Sequence, residues 1–161
     1  MPPQLEIRTT AVPTLTHDLS TTLALQSYAL GQGELTVSPL QMAQVAATIG
    51  NNGFMPSIYV VKDVQSSDGT WQPYTKTAQV PAPIIDPSVA RAVLQAMRVQ
   101  GNSAGHGGAA ISGDRQHSWF IGLAPADQPK YAIAVLLEDA KTATDAEDIG
   151  RGALEEVIAM Q

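Results

Sequence analysis

Residues 117–138 read HSWFIGLAPADQPKYAIAVLLE, and this stretch decides the class of fold. Its two ends, 117–123 and 131–138, are rich in aromatic, aliphatic and β-branched residues, a composition typical of β-strands. The link at 124–129 is short, which favours antiparallel pairing of the two strands. Because residues 131–137 are apolar on both faces of the strand, we expect helices on both sides of the sheet. The sequence therefore predicts an α/β fold in which an antiparallel sheet is flanked by helices.

Three helices are predicted around these strands. The sequence SPLQ at 38–41 is a capping box with proline at the first helical position, and the helix ends in the run GNNG at 50–53. The sequence DP at 86–87 opens a second helix. The apolar residues expected on its buried face are Val89, Val93, Ala96 and Met97. The last helix begins with a second capping box at 144–147.

The remaining segments carry weaker signals. A strand at 57–64, a turn at 67–69 and a short partner strand at 70–72 predict a hairpin on the surface. The stretch at 101–112 is rich in glycine and small residues, and it lacks the Gly-Lys-Ser/Thr ending of a phosphate-binding loop. We interpret it as a flexible or closely packed approach to an edge strand.

Composition and charge exclude several classes of function. The chain has 161 residues and a mass of 16.9 kDa, enough for one domain with its own core. Fifteen acidic against nine basic residues give a net charge of −6. No cluster of basic residues is present in the sequence to bind phosphates, so no nucleic-acid partner is expected. The absence of cysteine excludes disulfides, thiolate catalysis and cysteine-based zinc sites. The longest apolar run is too short to span a bilayer, and the first residues do not resemble a signal peptide.

The residue types that most often carry chemistry do not form a self-contained set. His17, His106 and His117 lie in separate contexts without ligand spacing, so no metal site is expected. His117 and Ser118 are neighbours on a predicted strand and point to opposite faces, so they cannot act together as base and nucleophile. The acidic group at 145–148 lies in the first turn of a helix, where the helix dipole favours it. An independent hydrolase that uses His106 or His117 is therefore disfavoured, and no cofactor is expected.

Three blocks of sequence resemble the transpeptidase domain of penicillin-binding proteins. They are GQGELTVSPLQMA at 31–43, NNGFMP at 51–56 and HSWFIGLAP at 117–125, in the family's order and spacing. The resemblance covers residues 25–161. It implies the C-terminal part of a penicillin-binding-protein or serine β-lactamase-like transpeptidase fold. We therefore divide the chain into an extended lead-in at 1–24 and a partial transpeptidase-like domain at 25–161.

The resemblance also implies how the sheet is completed. The family's sheet is antiparallel and five-stranded, and this chain would supply the three later strands, near 108–112, 117–123 and 131–138. The two strands that normally complete the sheet come from earlier sequence. Strand 131–138 would then be an apolar edge, which is a hazard for aggregation and pairing. We expect the N-terminal segment, a second copy of the chain or a missing partner chain to cover it.

The catalytic machinery that the resemblance implies is incomplete in this sequence. The family attacks the D-Ala-D-Ala end of a peptidoglycan stem peptide, or a β-lactam that mimics it, with a serine activated by a nearby amine. That serine and the amine belong to a Ser-x-x-Lys motif, and a second motif reads Ser-x-Asn. Neither motif occurs in the sequence, so we assign no catalytic residue.

The family's third motif, Lys-Thr-Gly followed by a small residue, falls on four residues that keep only its glycine. These degenerate substrate-binding residues are His106, Gly107, Gly108 and Ala109. An imidazole is shorter than a lysine side chain and mostly neutral at pH 7, and Gly107 has no hydroxyl. By resemblance, Gly108 would still let a substrate strand approach, and the Ala109 N–H would still offer half of an oxyanion hole.

Two functions are compatible with these observations. The first is a transpeptidase-like region of peptidoglycan synthesis at the extracytoplasmic face of the bacterial envelope, anchored upstream to the membrane and inactive as this chain. Its ligands in the complete protein would be a stem peptide or a β-lactam. The alternative is a non-enzymatic interaction module that binds a cell-wall or division partner. Ser-x-x-Lys and Ser-x-Asn motifs upstream would favour the first function, and their absence would favour the second.

Overall fold

Four helices and two antiparallel sheets are formed by residues 21–29, 37–58, 61–74, 83–98 and 101–160, which are the residues that the computed structural model describes. In chain order the elements are α1 (Thr22–Ala29), α2 (Pro39–Gly50), β1 (Asp63–Gln65), β2 (Trp71–Pro73), α3 (Pro87–Ala96), β3 (Ala104–Ser112), β4 (Arg115–Ala124), β5 (Tyr131–Leu137) and α4 (Asp145–Ala159). The small sheet contains β1 and β2, and the larger sheet has the strand order β3-β4-β5.

The larger sheet confirms the central prediction from the sequence. Strands β4 and β5 pair antiparallel, and Phe120 lies opposite Val135. Strand β3 pairs antiparallel with the other side of β4, where Gly107 lies opposite Phe120. Strand β3 is longer than predicted because it begins at Ala104. The glycine-rich stretch is therefore mostly part of the strand rather than an approach to it. Of the two alternatives, close packing agrees with the contact of Gly105 with Phe120, and flexibility was wrong.

Helices cover both faces of this sheet, as the apolar character of β5 predicts. On one face, α2 and α3 pack in a cluster of buried residues with β3 and β4: Ala46, Ile49, Leu94, Met97, Ala104 and Leu123. On the other face, α4 packs on the sheet in a second cluster: Phe120, Ala124, Ala146 and Leu154. Odd-numbered and even-numbered residues of β4 thus enter different cores, as the two-residue repeat of a strand requires. The sheet and its two layers form an α/β arrangement.

The buried face of α3 agrees with the predicted one at Met97 and differs from it elsewhere. Ala90, Leu94 and Met97 are buried, whereas Val89 and Val93 are 50% and 37% exposed. The buried residues follow the spacing i, i+4, i+7 of one helical stripe, next to the stripe that we predicted. The helix is turned toward its larger side chains, because Leu94 and Met97 fill the cluster against α2.

The start of α4 confirms the predicted position of the helix but not its predicted capping box. The Thr144 side chain makes no capping hydrogen bond. Instead, the fully buried Ser118 hydroxyl on β4 accepts a hydrogen bond from the Ala146 N–H at 3.0 Å and donates one to the Ala143 carbonyl at 2.8 Å. One of the unpaired N–H groups at the helix start is therefore satisfied by a residue of the sheet.

Two of the three acidic residues in this first turn, Asp145 and Glu147, also have specific partners. The Asp145 carboxylate accepts hydrogen bonds from the Thr142 hydroxyl and from the N–H groups of Thr142 (3.1 Å) and Lys141 (3.0 Å). These bonds hold the pKa of Asp145 below its ordinary value of 3.8, and the bond from the Thr142 hydroxyl has the largest effect. Glu147 accepts a hydrogen bond from Arg151 at 2.7 Å. The helix dipole alone is therefore an incomplete explanation of the acidic group.

Two other predictions are corrected in part. The hairpin is present, but its first strand covers only Asp63–Gln65 and pairs with Trp71–Pro73, and residues 59–60 of the predicted strand lie outside the described residues. The end of the predicted lead-in at 1–24 is helical, because α1 begins at Thr22. Residues 1–20 lie outside the described part, so the division at residue 24 stays a prediction.

Candidate functional site

The four residues of the degenerate third motif all lie on β3, at one edge of the larger sheet as the described residues form it. Side chains alternate along a strand, so residues 106 and 108 share one face and residues 107 and 109 share the other. His106 lies opposite Ile121 and on the same side of the sheet as α2 and α3. Gly107 lies opposite Phe120 and on the side of α4. The motif is therefore divided between two environments.

The face of the strand at Gly108 is open. His106, Gly108 and Ala109 are exposed. A Cβ atom built on Gly108 would have no described heavy atom within 4 Å. Packing among the described residues does not explain a glycine at this position, and no described atom blocks another chain from approaching the backbone there.

The opposite face of the strand is occupied at Gly107. A Cβ atom built on Gly107 would lie 2.5 Å from Oε2 of Glu147, a distance that real contacts do not reach. The other oxygen of this carboxylate, Oε1, accepts a hydrogen bond from the Arg151 Nε at 2.7 Å. The Arg151 guanidinium in turn lies over the Phe120 ring, 5.4 Å from its centroid. Glu147 thus fills the space that the side chain of a hydroxyl-bearing residue would need at position 107.

Sequence reasoning missed this contact. It assigned Glu147 to the first helical turn and had no signal for its position behind Gly107, because the two residues are 40 positions apart in the sequence. The arrangement around Phe120 did leave a signal. Gly150 lies in the interior of α4, where glycine costs about 1 kcal/mol relative to alanine, and such a glycine usually has a packing reason.

The ring of Phe120 is that reason. A Cβ atom would approach the ring to 2.1 Å from Gly150, 2.4 Å from Gly105 and 2.7 Å from Gly122. Glycines on two strands and one helix therefore make room for one fully buried ring, and they let α4 lie close to the sheet. This packing explains the glycine at position 105 of β3, directly before the motif.

Among the described residues, neither His106 nor His117 is hydrogen-bonded to a nucleophilic hydroxyl, and His17 lies outside them. His117 lies opposite Ala110 on β4, and Ser118 points into the other core, so the predicted separation of these two side chains is confirmed. The His117 Nδ1 atom is buried, and no described group forms a hydrogen bond with it. Within the described ranges, no three His, Asp or Glu side chains are close enough together to hold a metal ion.

Comparison with known proteins assigns the fold and its family. The model of the penicillin binding protein transpeptidase domain matches residues 14–155. The chain therefore belongs to the penicillin-binding-protein transpeptidase family, as the sequence blocks predict. None of the helices in the described segments combines the length and apolar character needed to cross a bilayer.

Three relatives show how much of a longer protein this chain matches. It is 35% identical over 134 residues to the peptidoglycan D,D-transpeptidase PbpA of Mycolicibacterium smegmatis, covering 72% of this chain and 27% of that protein. It is 31% identical over 157 residues to PbpA of Mycobacterium tuberculosis, covering 84% of this chain and 32% of that protein. The structure of penicillin-binding protein A from M. tuberculosis as an imipenem acyl-enzyme complex superposes with a TM-score of 0.75 at 28% identity, covering 88% of this chain and 35% of that one. The chain thus spans about a third of the length of these relatives.

Proposed function

We propose that this chain is the C-terminal part of a transpeptidase domain that acts in peptidoglycan synthesis, and that it is catalytically inactive as this chain. The observation that carries the proposal is the third-motif strand: β3 lies at a sheet edge with an open face at Gly108, while its motif has lost both the lysine and the hydroxyl. Membership of the family and the identity to two D,D-transpeptidases support the assignment to the cell wall. The proposed domain covers residues 25–161, with 1–24 as a lead-in.

The proposed ligands of the complete protein are a peptidoglycan stem peptide and a β-lactam. The M. tuberculosis relative of known structure was solved as an imipenem acyl-enzyme complex, which supports this ligand class for the family's site. In this chain the residues proposed to face such a ligand are His106, Gly107, Gly108 and Ala109. The open space over Gly108 would admit the backbone of an extended peptide.

The proposed inactivity follows from what each missing group does. A serine hydroxyl attacks only when a neighbouring base takes its proton, and the Ser-x-x-Lys motif that supplies both groups is not in this sequence. At the third motif, His106 replaces an ammonium on a long stem, and Gly107 cannot donate a hydroxyl hydrogen bond to a substrate carboxylate. We place the protein at the extracytoplasmic face of the envelope, where its substrate lies.

One observation favours a second candidate function, a non-enzymatic interaction module. Strand β5 is apolar along its length from Tyr131 to Leu137, and no described strand pairs with its outer edge. Such an edge tends to pair with another strand. In the first proposal this strand comes from the N-terminal half of the domain. In the second it comes from another copy of the chain or from a cell-wall or division partner.

Labelling with a fluorescent penicillin separates these functions. We expect no covalent labelling of the purified chain alone. Mixed with the portion of M. smegmatis PbpA that precedes the matched region, the chain is expected to form a one-to-one complex that labels weakly on the added portion. A stable dimer of the chain that ignores the added portion would support the interaction module. Covalent labelling of the chain by itself would contradict both proposals, because neither includes a nucleophile in this sequence.

A further inference from the structure

A cleft with a positively charged rim lies between α3 and the loop that joins β4 to β5. Its volume is about 390 Å³, and none of its lining residues belongs to β3, so it is separate from the third-motif strand. Three of the chain's nine basic residues line this cleft: Arg91, Arg98 and Lys130. Among its described lining residues, Asp127 is the one acidic residue. In a chain with a net charge of −6, this cleft concentrates positive charge.

The single acidic residue of the cleft is already paired. Arg98 donates a hydrogen bond to the Ala126 carbonyl at 3.1 Å and forms a salt bridge with Asp127. These contacts fix the Arg98 guanidinium against the loop and neutralise it. Within the described segments, Arg91 and Lys130 form no salt bridge, in contrast to Arg98, Arg115 and Arg151. Two cations of the rim are therefore left for a ligand.

The nearby carboxylate of Asp86 does not prevent Arg91 from binding a ligand. Asp86 is near enough for the Arg91 charge to lower its pKa, but the main causes of that shift are the hydrogen bonds from the Ser88 hydroxyl and N–H. Asp86 accepts the bond from the Ser88 N–H at 2.7 Å and caps α3. Its carboxylate is thus directed to the helix start, and the Arg91 guanidinium can bind an added carboxylate.

The cleft continues into a groove with an apolar floor. Leu94 and Pro129 line the cleft. A second cavity of about 250 Å³ shares Pro129 and Lys130 with it and continues to Tyr131 at the start of β5. Together the two cavities offer apolar surface beside the charged side chains, which a single small ion would not use.

We infer that this groove binds an extended acidic peptide segment, whose carboxylates contact Arg91 and Lys130 and whose chain follows Pro129 toward Tyr131. The fork of N–H donors on arginine matches the two oxygens of a carboxylate. A free phosphate ion would use the cations but not the apolar floor, which is why we favour the peptide. Both cations are exposed to solvent, so the affinity is expected to be weak and to fall with added salt. This inference does not depend on the proposed function.

The test is a titration of the full chain with an acetylated, amidated tetraglutamate peptide, followed by amide chemical shifts in NMR spectra. We expect shifts confined to residues 91–98 and 127–132, and no comparable shifts with the tetraglutamine peptide. The double variant Arg91→Gln/Lys130→Gln is expected to weaken binding about tenfold. The matched control Arg115→Gln/Lys141→Gln removes the same charge elsewhere on the surface, and it is expected to change the affinity less than about twofold.

Three results would overturn the inference. One is an equal loss of affinity in the control variant, which would mean that only the net charge attracts the peptide. Another is equal binding of tetraglutamine. The third is inorganic phosphate that produces the same shifts and displaces the peptide at equal concentration, because the groove would then be a simple anion site.

Discussion

Replacing Gly107 by alanine tests whether Glu147 fills the space behind the third motif. Alanine adds only the Cβ atom, which would lie 2.5 Å from Glu147 Oε2 and 3.3 Å from Glu147 Cβ. The nearest obstacle is therefore the far end of a flexible side chain, which can move aside. Moving it breaks the contact with Arg151, and the two side chains are only 28% and 24% exposed. We therefore take the upper part of the range for surface pairs, about 0.5–1 kcal/mol, as the cost.

The gain from removing a glycine opposes this cost. Glycine in a strand interior is less favourable than alanine by about 0.5–1 kcal/mol. Gly107→Ala is thus expected to leave the free energy of unfolding nearly unchanged. In a Glu147→Ala background the carboxylate is gone and only the Cβ contact at 3.3 Å remains, so the same substitution is expected to stabilise by up to about 0.5–1 kcal/mol. The coupling energy between positions 107 and 147 equals that difference.

Urea unfolding followed by tryptophan fluorescence measures all four variants of this cycle. Trp119 is half-buried on β4 and reports on the sheet, whereas Trp71 is 66% exposed and contributes a background. Gly108→Ala is the matched control on the open face of the strand and is expected to stabilise by about 0.5–1 kcal/mol in both backgrounds. A coupling energy of zero would refute the reasoning. So would a loss of about 2 kcal/mol or more in both backgrounds, because the backbone rather than the carboxylate would then resist the added atom.

Three further predictions concern α4. Gly150→Ala is expected to destabilise by about 1–3 kcal/mol through overpacking against Phe120. Its control is Gly152→Ala, which has no described heavy atom within 4 Å and should stabilise by up to about 1 kcal/mol. Equal changes of the melting temperature in the two variants would contradict this. Ser118→Ala is expected to lower the free energy of unfolding by about 1–3 kcal/mol because it leaves buried backbone groups unpaired. Thr144→Ala is expected to lower it by only a few tenths of a kcal/mol. A larger loss in Thr144→Ala than in Ser118→Ala would support the predicted capping box instead. Because the pKa of Asp145 is lowered in the folded state, its ionised carboxylate stabilises the fold at pH values above 3.8, and this stabilisation is lost as the pH falls further. The difference in unfolding free energy between the chain and its Asp145→Asn variant should therefore shrink on acidification. A difference that does not depend on pH would contradict the assignment.

Local signals in the sequence predicted the elements well. The capping box at 38–41 is present with both of its hydrogen bonds, at 2.8 and 3.2 Å, because all of its partners lie within four residues. The two apolar strands and their short link also determine their own pairing. Interactions of this kind need no knowledge of the rest of the chain.

Predictions failed where a distant residue decides the outcome. The start of α4 is capped by Ser118, a residue 28 positions away from Ala146, and no local pattern points to it. On α3, two neighbouring stripes are both apolar, and the choice between Val89 and Leu94 for the core depends on the shape of α2. Glycine is disfavoured in a strand, and the ring of Phe120 on the neighbouring strand explains the glycine at position 105 of β3. Packing across the sheet overrides local preference at each of these places.

The candidate site was predictable only through resemblance. The positions of His106 and Gly108 on an open strand edge agree with what the third motif implies, but their role as substrate contacts stays a prediction. The composition of the motif, with one histidine and two glycines, does not by itself point to substrate binding. The contact between Gly107 and Glu147 needed the structure, since α4 approaches β3 only after the chain has folded.

Strand β3 is subject to two different demands, one on each face. Toward α4, packing against Phe120 penalises a side chain at residue 105, and a side chain at 107 has to displace the Glu147 carboxylate. On the other face, a new side chain at 108 meets no described atom, so packing among the described residues does not act against it. A lineage that ceased to use the ligand would be free to change at positions 106 and 108 and would keep the glycine at 105. The strand would then keep its conformation after catalysis was lost, and a domain that keeps its fold in this way can acquire a different function.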